Sequence, residues 1–98
     1  MTDFDESPVS QEAEKKRKEL EQREINDIRH VMAGPQGRRV VWSILEKGRV
    51  FSSTFSPDQA IAAFNEGQRN IALALFQRVM THCPEKYLVM ADEASKED

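Results

Sequence analysis

Three prolines divide this chain into helices. Pro35, Pro57 and Pro84 each follow a residue suited to end one helix or open the next, namely Gly34, Ser56 and Cys83. A proline is tolerated in the first turn of a helix and breaks its interior, so each marks a boundary. From Gln11 to Glu24 only Ala13 and Leu20 are apolar, but Glu12/Lys16, Glu14/Lys18 and Glu19/Arg23 place an acid four residues before a base. That order supports a helix by about 0.2–0.5 kcal/mol per pair without any core contact. The segment is therefore expected to be helical or fraying, and unburied. Ile25, Ile28 and Met32, with Val31 alongside, then mark where this helix gains a face to pack, and Gly34-Pro35 ends it.

A second helix is expected over Pro35–Lys47, stopped by Gly48, with Val40, Val41, Ile44 and Leu45 as its stripe. Arg49–Phe55 is rich in aromatic and β-branched residues, too short for a helix and without a pairing strand, which makes it an extended aromatic connector lying on the helices. Ser56-Pro57-Asp58-Gln59 reads as a helix start with Ser56 as N-cap. The third helix is expected from Pro57 to about His82, with Ile61, Phe64, Ile71, Leu75 and Val79 along one side and Leu73, Phe76 and Met80 widening the arc. Gly67 interrupts it at about 1 kcal/mol relative to Ala, so close approach by another backbone or ring is expected there. A short fourth helix, Glu85 to about Ala94, carries Tyr87, Leu88 and Met90. The fold class is all-α, a small bundle of three to four helices. Residues 1–24 form a charged arm, 25–90 the packed domain and 91–98 an acidic tail.

Of the 98 residues 32% are charged, with a net charge of −3. The first ten residues sum to −3, residues 34–88 to +3 and the last eight to −3, so a mildly basic middle lies between ends read as solubilising termini. One small domain fits this length, and a two-domain enzyme does not. No apolar run reaches the roughly 18–20 residues that span a bilayer. The first residues lack the character of a secretory signal, and Cys83 has no second cysteine to pair with. A cytoplasmic, reducing setting is the expectation.

No reactive constellation stands out. His30, His82 and Cys83 lack zinc-ligand spacing. Neighbouring His82 and Cys83 point apart on a helix end, and Cys83 reads as a small buried or capping residue. Ser52, Ser53 and Thr54 come without a glycine-rich phosphate loop, which favours backbone capping. No enzyme, cofactor or metal is expected. Arg38, Arg39, Lys47 and Arg49 with Trp42 and Phe51, and Arg69-Asn70 beyond, sketch a basic and aromatic patch. With a negative net charge it supports only weak, salt-sensitive contact with nucleic acid. The alternative is that Arg38 and Arg69 are scaffold residues binding carbonyls of the 49–56 connector. The 24 large apolar residues between Ile25 and Met90 leave a lone monomer little margin, so a partner or self-association is expected.

Four blocks occur in order: Gly37-Arg38-Arg39-Val40-Val41-Trp42, Phe51-Ser52-Ser53-Thr54-Phe55, Phe64-Asn65-Glu66-Gly67-Gln68-Arg69-Asn70-Ile71-Ala72-Leu73, and Cys83-Pro84-Glu85-Lys86-Tyr87. Together they resemble a family of small tailed-bacteriophage proteins, the Bbp-nineteen-like phage domain, over about residues 27–90. The Lys47-Gly48-Arg49-Val50 turn departs from the family pattern. The resemblance implies a product of the virion-structure and DNA-packaging gene cluster of short-tailed phages, a context more than a chemistry. Arg38, Trp42, Phe55, Glu66, Gly67, Arg69, Asn70 and Tyr87 match the family pattern. With Arg39 and Phe51 they are the candidate fold-defining or partner-binding residues, Gly67, Arg69 and Asn70 being suited to fasten the connector that carries Phe55. The expected function is non-enzymatic: docking in virion assembly against phage head, portal or internal proteins, or against itself, in the host bacterial cytoplasm or the virion. Alternatives are a small DNA-packaging subunit and an inhibitor of a host enzyme.

Overall fold

The computed structural model describes residues 8–97, and the acidic residues Asp3, Asp5, Glu6 and Asp98 lie outside them. Four α-helices follow in order: α1 Pro8–Ala33, α2 Pro35–Lys47, α3 Gln59–His82 and α4 Pro84–Ser95. No strand occurs among the described residues. Helix α2 packs on α1, α3 and α4, and α3 packs on α1 and α4. The core comprises Ile28 and Met32 of α1, Val41 and Leu45 of α2, Val50 of the connector, Ala72 and Val79 of α3, Cys83, and Met90 of α4. The radius of gyration is 18.6 Å, against about 13 Å for a compact 100-residue domain. The difference is α1, whose residues 11–24 are all exposed.

The arm is helical as its charge pattern predicts, although Arg17, rather than the three expected pairs, makes the ion pairs, reaching Glu14 and Glu21. Two clips hold the C-terminal half of α1 to α3. Arg29 Nε donates to the His82 carbonyl at 3.1 Å, and Arg78 donates to the Glu24 carbonyl at 3.0 Å. Helix α3 starts two residues later than expected. Its N-cap is Asp58, whose carboxylate accepts from the Ala60 and Ile61 N–H groups at 2.8 and 3.1 Å, and Ser56 instead accepts from the Asp58 N–H. A carboxylate that reaches two of the four unpaired N–H groups of the first turn is the stronger cap.

The buried faces of α2 and α3 also differ from the hydrophobic stripes. On α2, Arg38, Val41 and Leu45 are buried, while Val40 and Ile44 are exposed. On α3, Asn65, Ala72 and Val79 point inward with Phe76 beside them, while Ile61, Phe64 and Ile71 face outward, Ile71 being 75% exposed. The small side chain of Ala72 is what lets α2 and α3 come together, because a Cβ on Gly48 would collide with that of Ala72. Gly48 has an ordinary helical φ of −81°, so space alone accounts for the glycine. Gly37 is similar, a Cβ there running into the Val31 carbonyl, whereas nothing lies within 4 Å of a Cβ on Gly67. Among the described residues the close approach expected at Gly67 is therefore absent, and it occurs at Gly37 and Gly48.

Gly48→Ala is expected to destabilise the fold by about 1–3 kcal/mol through overpacking. In an Ala72→Gly background the same substitution loses more than half of that penalty. Urea unfolding of the four proteins in this cycle checks it, and an unchanged penalty would contradict the contact.

Candidate docking surfaces

Arg38 is 7% exposed and sits where three helices meet. Its Nε and Nη2 donate to the two carboxylate oxygens of Glu93 on α4 at 2.8 and 2.9 Å, and its Nη1 donates to the Met32 carbonyl near the end of α1 at 2.9 Å. The fork of the guanidinium suits this bidentate geometry. The hydrogen bonds from Arg38 hold the Glu93 carboxyl below its ordinary value of 4.5 and the same pairing raises Arg38, burial opposing both. Arg38 thus binds the end of α1 and α4, not the connector carbonyls expected of it. Glu93, expected in a solvated tail, is a structural residue of α4.

Arg69 does bind the connector, donating to the carbonyls of Arg49 and Val50 at 3.2 and 3.4 Å. Just before these carbonyls the chain turns through Arg49, whose φ of 58° lies in the left-handed region. This conformation costs a non-glycine residue about 1–2 kcal/mol, and the hydrogen bonds from Arg69 help to fix it. Further along, Thr54 Oγ1 bonds Glu66 and the Asn65 amide donates to the Thr54 carbonyl at 3.4 Å. Asn65 therefore takes the part expected of Asn70, which is exposed and without a hydrogen bond among the described residues. Asn65 also faces the core, a place no hydrophobic pattern would signal.

Phe51 lands on the bundle as the hub of an aromatic cluster. It stacks on Trp42 at 5.3 Å between ring centroids, meets Phe76 edge-on at 5.7 Å and lies 6.3 Å from Tyr87; Phe76 and Tyr87 meet edge-on at 5.5 Å. Trp42, Phe51 and Tyr87 thus join the connector to α2, α3 and α4 through ring contacts. Arg39, beside Trp42, Met90 and Glu93, lines a groove of about 260 Å³ between α2 and α4. Cys83 is buried, closes α3 and precedes α4, and burial pushes its thiol up.

Two of the surfaces left on the outside are large enough to bear on docking, beside a smaller exposed pair, Leu88 and Val89, on α4. One is apolar: Phe64 and Ile71 on α3, 65% and 75% exposed, beside Val40 and Ile44 on α2, with Phe55 exposed on the connector. The other is the charged half of α1. Gly67 and Asn70 belong to the exposed side of α3.

Residues 28–92, about two thirds of the chain, match the Bbp19-like phage protein family. The chain belongs to this family. No curated protein and no solved structure shows significant similarity to it. The Bbp19-like region takes in both anchors of the connector, the aromatic cluster and Arg38, and it excludes α1 before Ile28. Among the described residues of this Bbp19-like protein no helix is long and apolar enough to cross a membrane.

The depressed Glu93 carboxyl contributes stability that is present above its ordinary value of 4.5 and is lost as the pH falls through its lower folded value. Glu93→Gln is therefore expected to lower the Tm at pH 7, with the gap to the parent protein closing as the pH drops below 4.5 and Glu93 itself becomes neutral. Thermal unfolding of both proteins between pH 3 and 7, as ranges to be scanned (about four units), tests this; parallel curves would contradict it.

Proposed function

We infer that this phage protein is a non-enzymatic accessory of virion assembly that docks through its α1 arm onto a structural component of the particle, a head, portal or internal protein. The observation that carries this reading is that residues 11–24 form a helix in which every residue is exposed, joined to the bundle at its Glu24 end. At about 1.5 Å per residue, the stretch from Pro8 to Glu24 reaches roughly 25 Å. It holds five acids and five bases, so its helicity comes from its own ion pairs and its surface offers both signs of charge to a partner. A helix kept outside its own core is available for burial elsewhere.

The apportioning of the basic residues supports protein docking over DNA handling. Arg38 is consumed by Glu93 and Arg69 by the connector, leaving Arg39, Lys47 and Arg49 as a smaller cationic set than the sequence suggests. Inhibition of a host enzyme is left without a structural feature that favours it. The setting that follows is the host bacterial cytoplasm during assembly, and the particle afterwards.

Deleting residues 1–20 is expected to change the stability by less than about 0.5 kcal/mol, as for surface changes away from packed features. The truncated protein is expected to lose co-purification with the phage head and portal proteins from infected cells. Unfolding of the truncated chain, or undiminished binding to those proteins, would contradict the assignment of the arm.

A further inference from the structure

Ala60, Phe64, Gly67, Ile71 and Ala74 follow one another along α3 at alternating spacings of four and three residues, and all are exposed. This is the spacing of the seam along which two α-helices interlock. Large and small side chains alternate on it, and no charged residue interrupts it between Asp58 and Arg78. Glu66 and Arg69 turn instead toward the connector. The glycine at its centre costs about 1 kcal/mol in a helix interior relative to Ala, and no contact within the chain explains it.

We propose that this face is a two-fold interface between two copies of the chain, with their α3 helices antiparallel. With the axis level with Arg69, Phe64 of one copy meets Ala74 of the partner subunit and Ile71 meets the partner's Gly67, while Arg78 stays with α1 of its own copy, bonded to the Glu24 carbonyl. Every large side chain then faces a small one, as an isologous interface requires of a single patch. The antiparallel arrangement also sets the dipoles of the two α3 helices in opposition, whereas a parallel one would align them. Ile44 extends the face, sharing a groove of about 210 Å³ with Gln68 and Ile71. With Val40 and Ile61, which are also exposed, the patch presents on the order of 600 Å² of apolar surface. That is at the upper end for a monomer and close to the roughly 800 Å² each partner gives to a standard interface. The arm meets this face only at its Glu24 end, which shares a groove with Ala74, so this inference goes beyond the proposed docking function and fails separately from it.

Sedimentation equilibrium of the full chain over about 1–100 µM is expected to show a monomer–dimer equilibrium. Gly67→Leu and Ile71→Arg, both at exposed positions, are each expected to weaken it by more than about ten-fold with the helical circular dichroism unchanged. As a second measurement, Gln68 lies beside the seam next to the axis and faces its own counterpart. Gln68→Cys is expected to form a disulfide-linked dimer on mild oxidation, while Gln77→Cys, far from the axis, does not. A monomer throughout this range would overturn the proposal, as would association indifferent to both α3 substitutions, association lost only when residues 1–20 are removed, or equal crosslinking from the two cysteine positions.

Discussion

One guanidinium holds this bundle in register. Arg38 projects from α2 into the junction of three helices and spends its donors on the Met32 carbonyl near the end of α1 and on both carboxylate oxygens of Glu93 in α4. A buried cation is tolerated only when it is paired and hydrogen-bonded, so the positions of α1, α2 and α4 are mutually dependent. The connector is placed on this frame by a second arginine. Arg69 fixes the two carbonyls that follow the left-handed φ of Arg49, those of Arg49 and Val50, and Phe51 follows into the aromatic cluster. The basic residues that would suit a nucleic-acid patch are in this way partly committed to internal architecture.

That commitment shapes what the outside can do. The buried side of α3 is built from Asn65, Ala72 and Val79, which are small or polar apart from Val79, and the larger Phe64 and Ile71 are left in solvent. The arm is the opposite case, a polar helix stabilised by its own ion pairs and uninvolved in the core. The fold thus presents an apolar face on α2 and α3 and a projecting charged helix. This division agrees with the extent of the family match, which includes the apolar face and leaves out the arm.

The positions of the helices were legible in the sequence because proline and glycine punctuate it: Gly34-Pro35, Gly48 and Cys83-Pro84 all fall at helix boundaries. The unburied character of residues 11–24 was equally legible from their lack of apolar residues. The inward faces were not. Hydrophobic periodicity selects the most apolar stripe, and on α3 that stripe runs through Phe64 and Ile71, which face solvent. Arg38 and Asn65 are buried polar residues whose partners lie 55 and 11 positions away, a relation that local pattern does not carry. Glu93 is hidden for the same reason, its neighbours in sequence being those of an acidic tail. Of the candidate residues, the anchors Arg69 and Glu66 and the aromatic trio Trp42, Phe51 and Tyr87 were recognisable. The place of Gly67 became clear only when the space around it could be seen.

The proposed role of this Bbp19-like protein is attachment to other components of the phage, through surfaces its core leaves free. Quantitative mass spectrometry of mature particles and of assembly intermediates purified from infected cells tests it most directly. The account predicts that the protein is present in one or both at a fixed ratio to a head, portal or internal protein. Its absence from both, with the protein recovered only in the soluble fraction, would contradict it.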